Sequence, residues 1–118
     1  MMLEDRLVDF AVIIIEISDN LKSSKAGNHL GNQIMRSGTS TALNYGEAQS
    51  AESRKDFIHK MKVVLKELIE TLVCLKIIDK SNLLSDLDKL GFALQETNEL
   101  ISIFVQSVKT SELNTVKK

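Results

Sequence analysis

Apolar residues recur through the first part of the chain at alternating intervals of four and three positions. This spacing places side chains on one face of an α-helix. The series consists of Leu3, Leu7, Phe10, Ile14, Ile17 and Leu21, and it predicts a helix over about residues 3 to 23. A strand would explain only the short β-branched run at residues 12 to 15. We therefore interpret the whole segment as helical.

Three further segments show the same period and predict helices over about residues 28–49, 54–78 and 83–108. Residues near their starts are suited to capping the free amides of a first helical turn. Asn28 can cap the second helix, Ser53 and Asp56 resemble a capping box at the third, and Ser81 or Asn82 can cap the fourth. The chain has no Pro and five Gly, which also favours long helices.

Four helices of similar length joined by short links predict an all-α fold, an antiparallel up-down-up-down four-helix bundle. The 118 residues suffice for one such domain. We assign the bundle to residues 1–110 and a polar, frayed tail to residues 111–118.

The second predicted helix is polar where its neighbours are apolar. Its polar motif has the spacing of a core-facing seam and consists of Gln33, Arg36, Ser37, Ser40, Asn44 and Glu47. Arg36 and Glu47 lie three turns apart, too far to pair within one helix. We interpret the motif as a structural seam whose side chains are paired by other helices; a ligand pocket is the alternative. Three glycines predict close helix packing here: Gly31, Gly38 and Gly46.

The third predicted helix is apolar on two sides. One side forms its main core seam, and the second patch consists of Val63, Val73, Cys74 and Ile77. A helix with two apolar sides usually contacts two partners. This patch is therefore our candidate interface between the subunits of a homo-oligomer.

Charge is unevenly distributed along the chain. Residues 54–80 carry seven Lys and Arg against four acids, whereas residues 1–20 carry one Arg against five acids. Basic residues of the third helix form a basic stripe, which consists of Arg54, Lys55, His59, Lys62 and Lys66. The stripe is a candidate phosphate-binding surface for RNA or DNA. The alternatives are a solvated face, or pairing with acidic helices of a neighbouring subunit.

Composition narrows the class of protein. A formal net charge of −1 provides no global attraction for nucleic acid or membranes. The single Cys74 excludes an intramolecular disulfide and fits a reducing compartment. We find no signal-peptide pattern and no apolar run long enough to span a membrane, so we expect a cytoplasmic protein.

Catalytic and metal motifs are not apparent in the sequence. The pairs Glu67-x-x-Glu70 and Glu96-x-x-Glu99 lack the His that di-iron bundles place in Glu-x-x-His motifs. The serines of the second helix have no His within nearby turns to activate them. We expect no catalytic residue, no metal ligand and no cofactor, and a metal-binding bundle is the weakest alternative.

The chain resembles the bacterial four-helix bundle family of 23S ribosomal RNA intervening-sequence proteins. The resemblance covers about residues 7–100 and is most specific in Gln33-Ile34-x-Arg36-Ser37-x-x-Ser40-x-x-x-Asn44-x-x-Glu47. Further matching positions in the third helix are Phe57, Ile58, Glu67, Glu70 and Leu75. Gly46 and Ala48, which flank Glu47, depart from the usual pattern.

This resemblance implies an up-down bundle assembled as a ring, typically a homopentamer. A related branch is the accessory variability determinant of diversity-generating retroelements, which binds reverse transcriptase and nucleic acid. Our hypothesis is a non-enzymatic, homo-oligomeric module that binds a protein or RNA partner through its assembled surface. The alternative is a purely structural oligomer that binds no nucleic acid.

Overall fold

The computed structural model describes residues 2–116, with side chains described for residues 3–114. Within this range the chain forms four helices: α1 (Met2–Asp19), α2 (Lys25–Gln49), α3 (Arg54–Lys80) and α4 (Leu87–Val116). Residues 2–116 contain no strand. The predicted all-α class is confirmed.

Each helix packs against its neighbours in the chain, and α1 also contacts α4. Contacts between α1 and α4 run in opposite directions, because Arg6 meets Glu96 whereas Glu16 meets Lys89. The α1–α4 contact is the sparsest of the four, and α1 and α3 lie at diagonal corners. These relations give the expected antiparallel up-down bundle.

Apolar side chains from all four helices fill the interior. The largest fully buried side chains include Phe10, Ile14, Leu68 and Phe104. The ring of Phe104 meets that of Tyr45 edge to face, with centroids 5.9 Å apart. The predicted period identified the core-facing side of α1, because the four central residues of its apolar series are all buried. No helix within residues 2–116 combines the length and apolarity needed to cross a membrane.

The link between α1 and α2 differs from its prediction. Helix α1 ends at Asp19 rather than near residue 23, and the backbone amide of Lys22 donates instead to the Leu83 carbonyl, at 2.9 Å. The cap of α2 is Ser24, whose Oγ accepts from the Gly27 amide at 3.0 Å, and not Asn28. Helix α2 therefore begins three residues earlier than predicted.

The predicted cap of α3 is confirmed, because Ser53 Oγ accepts from the Asp56 amide at 3.0 Å. The cap of α4 was predicted wrongly. Ser81 instead ends α3, Asn82 has a positive φ of 54°, and Asp86 Oδ1 accepts from the Lys89 amide at the start of α4. Helix α4 continues to Val116, beyond the predicted end near residue 108. The division between bundle and tail at residue 110 stays a prediction, and residues 117 and 118 lie outside the described residues.

Close packing of α1 against α2 explains two of the three glycines from which the sequence predicted close packing, Gly31 and Gly38. A Cβ atom at Gly38 would lie 2.6 Å from Cγ2 of Ile14. At Gly31, the Ser18 hydroxyl donates to the glycine carbonyl at 2.8 Å. Gly46 has open space around its Cα, so close packing does not account for it.

Candidate functional site

The polar motif of α2 follows the contact between α2 and α3 and does not face the centre of the bundle. Ser37 is its one fully buried member. The Ser37 and Thr71 hydroxyls are 2.8 Å apart in a buried hydrogen bond, and Thr71 Oγ1 also donates to the Glu67 carbonyl at 2.8 Å. Thr71 was missed in the sequence because a single Thr in an apolar seam carries no distinguishing pattern.

Charged members of the motif pair across the same contact. Arg36 binds Glu67 and Glu70 of α3, and Glu47 accepts from Lys60 Nζ at 2.6 Å. The hydrogen bond that Arg36 donates to Glu70, together with the charges of both carboxylates, raises the pKa of the Arg36 guanidinium above its ordinary value. The expected pairing by another helix therefore occurs for Arg36, Ser37 and Glu47, but inside one subunit.

Within the described residues, the remaining members of the motif, Gln33, Ser40 and Asn44, form no side-chain hydrogen bond to another helix. Asn44 Nδ2 donates to the Ser40 carbonyl at 2.9 Å, and Ser40 Oγ donates to the Arg36 carbonyl at 2.6 Å. Gln33 is exposed, and Glu47 keeps much of its side chain exposed despite its ion pair. Pairing by another helix therefore covers only part of the motif, because a helical period fixes which residues share a face but not where that face points.

A second arginine holds the other Glu-x-x-Glu pair. Arg6 of α1 donates to Glu96 through Nε at 2.7 Å and through Nη2 at 2.8 Å, and Nη2 also reaches Glu99 at 2.9 Å. Hydrogen bonding to Glu96 is the main cause that raises the pKa of Arg6. Both Glu-x-x-Glu pairs thus pair with a guanidinium, and no His, Cys, Asp and Glu group suited to a metal ion occurs among the described side chains.

The basic stripe lies on the outer side of α3, and all five of its residues are exposed. Lys62 pairs with Glu112 of α4 at 2.8 Å. Arg54, Lys55, His59 and Lys66 form no ion pair with any side chain of residues 3–114. Four of the five residues lie within about 60° of arc on α3, with Arg54 outside that arc, and the charge of Lys62 is already paired.

The predicted interface patch is divided by the structure. Val73 and Ile77 are 50% and 43% exposed, and Val63 is half-buried. Cys74 belongs to the buried core, so its assignment to an outward patch was wrong, and its burial raises the pKa of its thiol. Ile69, 47% exposed and one turn before Val73, was missed although its i−4 spacing marks it.

A further apolar surface lies on α1. Val8, Val12 and Ile15 are 47%, 47% and 36% exposed, at positions one turn apart. In the sequence these three residues are apolar positions of α1 that do not belong to its core-facing series. Helices α1 and α3 therefore each present an outward apolar strip in addition to the face that they bury.

The sequence of nearly the whole bundle matches a known protein family. The model of the family described as 23S rRNA-intervening sequence protein matches residues 5–106. The chain belongs to the 23S rRNA-intervening sequence protein family. The match includes the polar motif, the basic stripe and both apolar strips.

A solved structure related to this family shares the fold. It is a protein with unknown function from the S23 ribosomal protein family of Bacteroides thetaiotaomicron, 29% identical in sequence, with a TM-score of 0.82. The similarity covers 90% of this chain and 97% of that chain. No curated protein matches. Family and fold together thus identify the chain as an intervening-sequence protein.

Proposed function

We propose that this intervening-sequence protein is a non-enzymatic, self-assembling helical module that binds a protein or RNA partner through the surface of its homo-oligomer. The resemblance of its sequence implies a ring of five subunits. Its acidic pairs support a non-catalytic role, because Arg6 and Arg36 occupy the carboxylates that a metal site or acid–base pair would use.

The observation that carries this proposal is the outward apolar strip of α3, formed by Ile69, Val73 and Ile77. These three residues are 47%, 50% and 43% exposed, so about half of each is covered by the protein and half is in contact with water. Single exposed apolar residues are common, but a strip at successive helical turns marks a surface that another chain covers. Burial of such a strip in a self-contact stabilises the assembly through the hydrophobic effect.

Light scattering coupled to size-exclusion chromatography tests the assembly. The wild-type chain should elute as a homo-oligomer, and Val73→Glu should yield smaller species, because a carboxylate buried in an apolar contact costs several kcal/mol. Leu113→Glu is the matched control, since Leu113 is 60% exposed on α4 and lies outside the strip. A wild-type chain that is monomeric at high concentration, or equal effects of both variants, would contradict the proposal.

The basic stripe supports RNA as a second kind of partner. Arg54 and Lys55 begin α3 with exposed cationic side chains, and no acid within residues 3–114 neutralises them. Phosphate contacts of this kind are sequence-tolerant and weaken steeply as salt rises. Repetition of the stripe around an oligomer multiplies the local positive charge, which offsets the near-neutral charge of each chain.

Fluorescence anisotropy with a labelled RNA, measured over a series of salt concentrations, tests this second surface. Arg54→Glu with Lys55→Glu should abolish binding without harm to α3, because acidic residues are favourable in a first helical turn. Lys22→Glu with Lys25→Glu makes the same change of charge at exposed positions elsewhere and should retain binding. If neither the wild-type oligomer nor the control binds RNA at low salt, the partner is a protein or the role is purely structural.

A further inference from the structure

Helix α1 carries an outward stripe in which acids bracket an apolar centre. We define the α1 stripe as Asp5, Val8, Val12, Ile15 and Asp19. At 100° per residue these positions fall within an arc of about 80°, on the side of α1 that faces away from Ile14 and the core. All five side chains are exposed, and neither aspartate forms an ion pair with a side chain of residues 3–114.

Helix α3 carries the corresponding stripe with the opposite charge. We define the α3 stripe as Lys66, Ile69, Val73, Ile77 and Lys80. These residues also lie within about 80° of arc and are all exposed, and both lysines lack an acidic partner in the described part of the chain. In each stripe a valine stands midway between two charges that are fourteen residues, or about 21 Å, apart.

The matching spacing identifies what covers each stripe. When Val12 is placed beside Val73, both aspartates of α1 reach the level of the two lysines of α3, and the apolar centres coincide. Two α1 stripes placed together would bring aspartate to aspartate, and two α3 stripes would bring lysine to lysine, which is repulsive in either direction. The charges therefore favour contact between α1 of one copy and α3 of another.

The positions of α1 and α3 in the bundle determine what this contact builds. The backbones of the two helices do not approach each other closely and lie at diagonal corners, so their outward stripes face opposite sides of the protomer. A contact between different surfaces of successive copies is heterologous, and it produces a ring when the rotation closes. Because α1 and α3 run in the same direction within a protomer, parallel pairing keeps all copies in one orientation, as a closed ring requires.

We infer that α1 of one copy lies parallel to α3 of the next, with Asp5 beside Lys66, Val12 beside Val73 and Asp19 beside Lys80. This inference rests on the proposed self-assembly and names its contact surfaces. Arg54 and Lys55 lie about three turns before Lys66, outside the paired stretch. The assembly thus leaves the first turns of α3 free to meet a partner.

Charge exchange within one chain tests the register. Asp19→Lys and Lys80→Asp should each weaken assembly about tenfold or more in low salt, because each places like charges together. Their combination in one chain recreates an ion pair at every contact and should restore assembly. Asp88→Lys is the matched control: Asp88 is exposed on α4 and outside both stripes, so assembly should be unchanged. Circular dichroism at fixed concentration separates loss of assembly from loss of folding.

The outcomes separate this inference from the proposed function. One outcome is that the wild-type chain assembles while the chain that combines Asp19→Lys with Lys80→Asp assembles no better than the weaker of the two single variants. That result overturns the α1–α3 contact and leaves self-assembly standing. Rescue by Asp19→Lys with Lys66→Asp instead overturns the parallel register. A wild-type chain that never assembles removes both.

A cross-linking experiment tests the centre of the contact in the background Cys74→Ala. Chains with Val12→Cys mixed with chains with Val73→Cys should form a disulfide-linked dimer under mild oxidation, because the two positions face each other. Val12→Cys chains alone should not, since two α1 stripes do not meet. Equal cross-linking of Val12→Cys chains alone would overturn the heterologous arrangement.

Discussion

Close approach of α1 to α2 makes one methyl group a sensitive probe of the fold. Gly38→Ala places a Cβ atom 2.6 Å from Cγ2 and 3.0 Å from Cβ of Ile14, whose side chain is fully buried. Alanine in place of glycine inside a helix stabilises by about 1 kcal/mol. Overpacking of a filled interior costs about 1–3 kcal/mol. We therefore expect a net loss of about 0–2 kcal/mol in the free energy of unfolding.

The matched control lies two turns further along α2. Gly46 has nothing within 4 Å of an added Cβ, so Gly46→Ala makes the same chemical change without the clash. It should increase the free energy of unfolding by about 1 kcal/mol. Urea denaturation followed by circular dichroism measures both variants, at one chain concentration because the stability of an oligomer depends on concentration.

A second substitution tests the cause of the loss. Ile14→Ala removes the atoms that a Cβ at Gly38 would meet most closely, at a cost of about 2–5 kcal/mol in the wild-type chain. In the Gly38→Ala chain the same truncation should cost less, because it also relieves the clash. If Gly38→Ala stabilises as much as Gly46→Ala does, the helices do not approach as closely as described and the reasoning fails.

Three further changes probe the cap, the buried hydrogen bond and the single tyrosine. Ser24→Ala should lower the free energy of unfolding by about 1 kcal/mol in urea denaturation, with Ser23→Ala as a neutral control, because only Ser24 accepts from an amide of α2. Thr71→Val should cost about 1 kcal/mol by removing the buried partner of Ser37, and an unchanged midpoint would contradict that pairing. Burial, with a smaller effect of Glu4, raises the pKa of Tyr45, so absorbance near 295 nm should titrate above pH 10 in the folded chain and near pH 10 in urea. Because the unfolded chain releases this proton first, the stability that Tyr45 contributes is complete below pH 10 and is lost as pH rises through its folded pKa; coincident titrations would refute the burial.

Helical periodicity was sufficient to predict the number of helices and the core-facing side of α1, because burial in a bundle repeats every three to four residues. The capping residues of α2 and α4 could not be predicted from the local sequence in the same way. Ser24 and Asn28 are both capping residues, and the choice between them depends on the path of the preceding link, which the distant Leu83 carbonyl holds at Lys22. That contact has no local signal.

The exposure of a candidate residue was predicted correctly where its position on its own helix determines it. It was predicted wrongly where a neighbouring helix covers the residue. The basic stripe is exposed as expected, since its positions lie opposite the apolar seam of α3. Cys74 was misplaced because it stands at the edge of that seam, where the position of α2 determines whether a side chain is covered. Thr71 and Glu70 gained their importance from contacts with α2, which no spacing within α3 reveals.

The four helix–helix contacts differ in extent, and the contact between α1 and α4 is the smallest. Helices α2 and α3 share the larger contact, whereas α1 and α4 meet through rim bridges such as the one between Arg6 and Glu96. Dissolved ions weaken such rim bridges before they affect a dry interior. We therefore expect rising salt to weaken the α1–α4 edge first, while the contact of α2 with α3, which includes the buried Ser37–Thr71 hydrogen bond, is less affected.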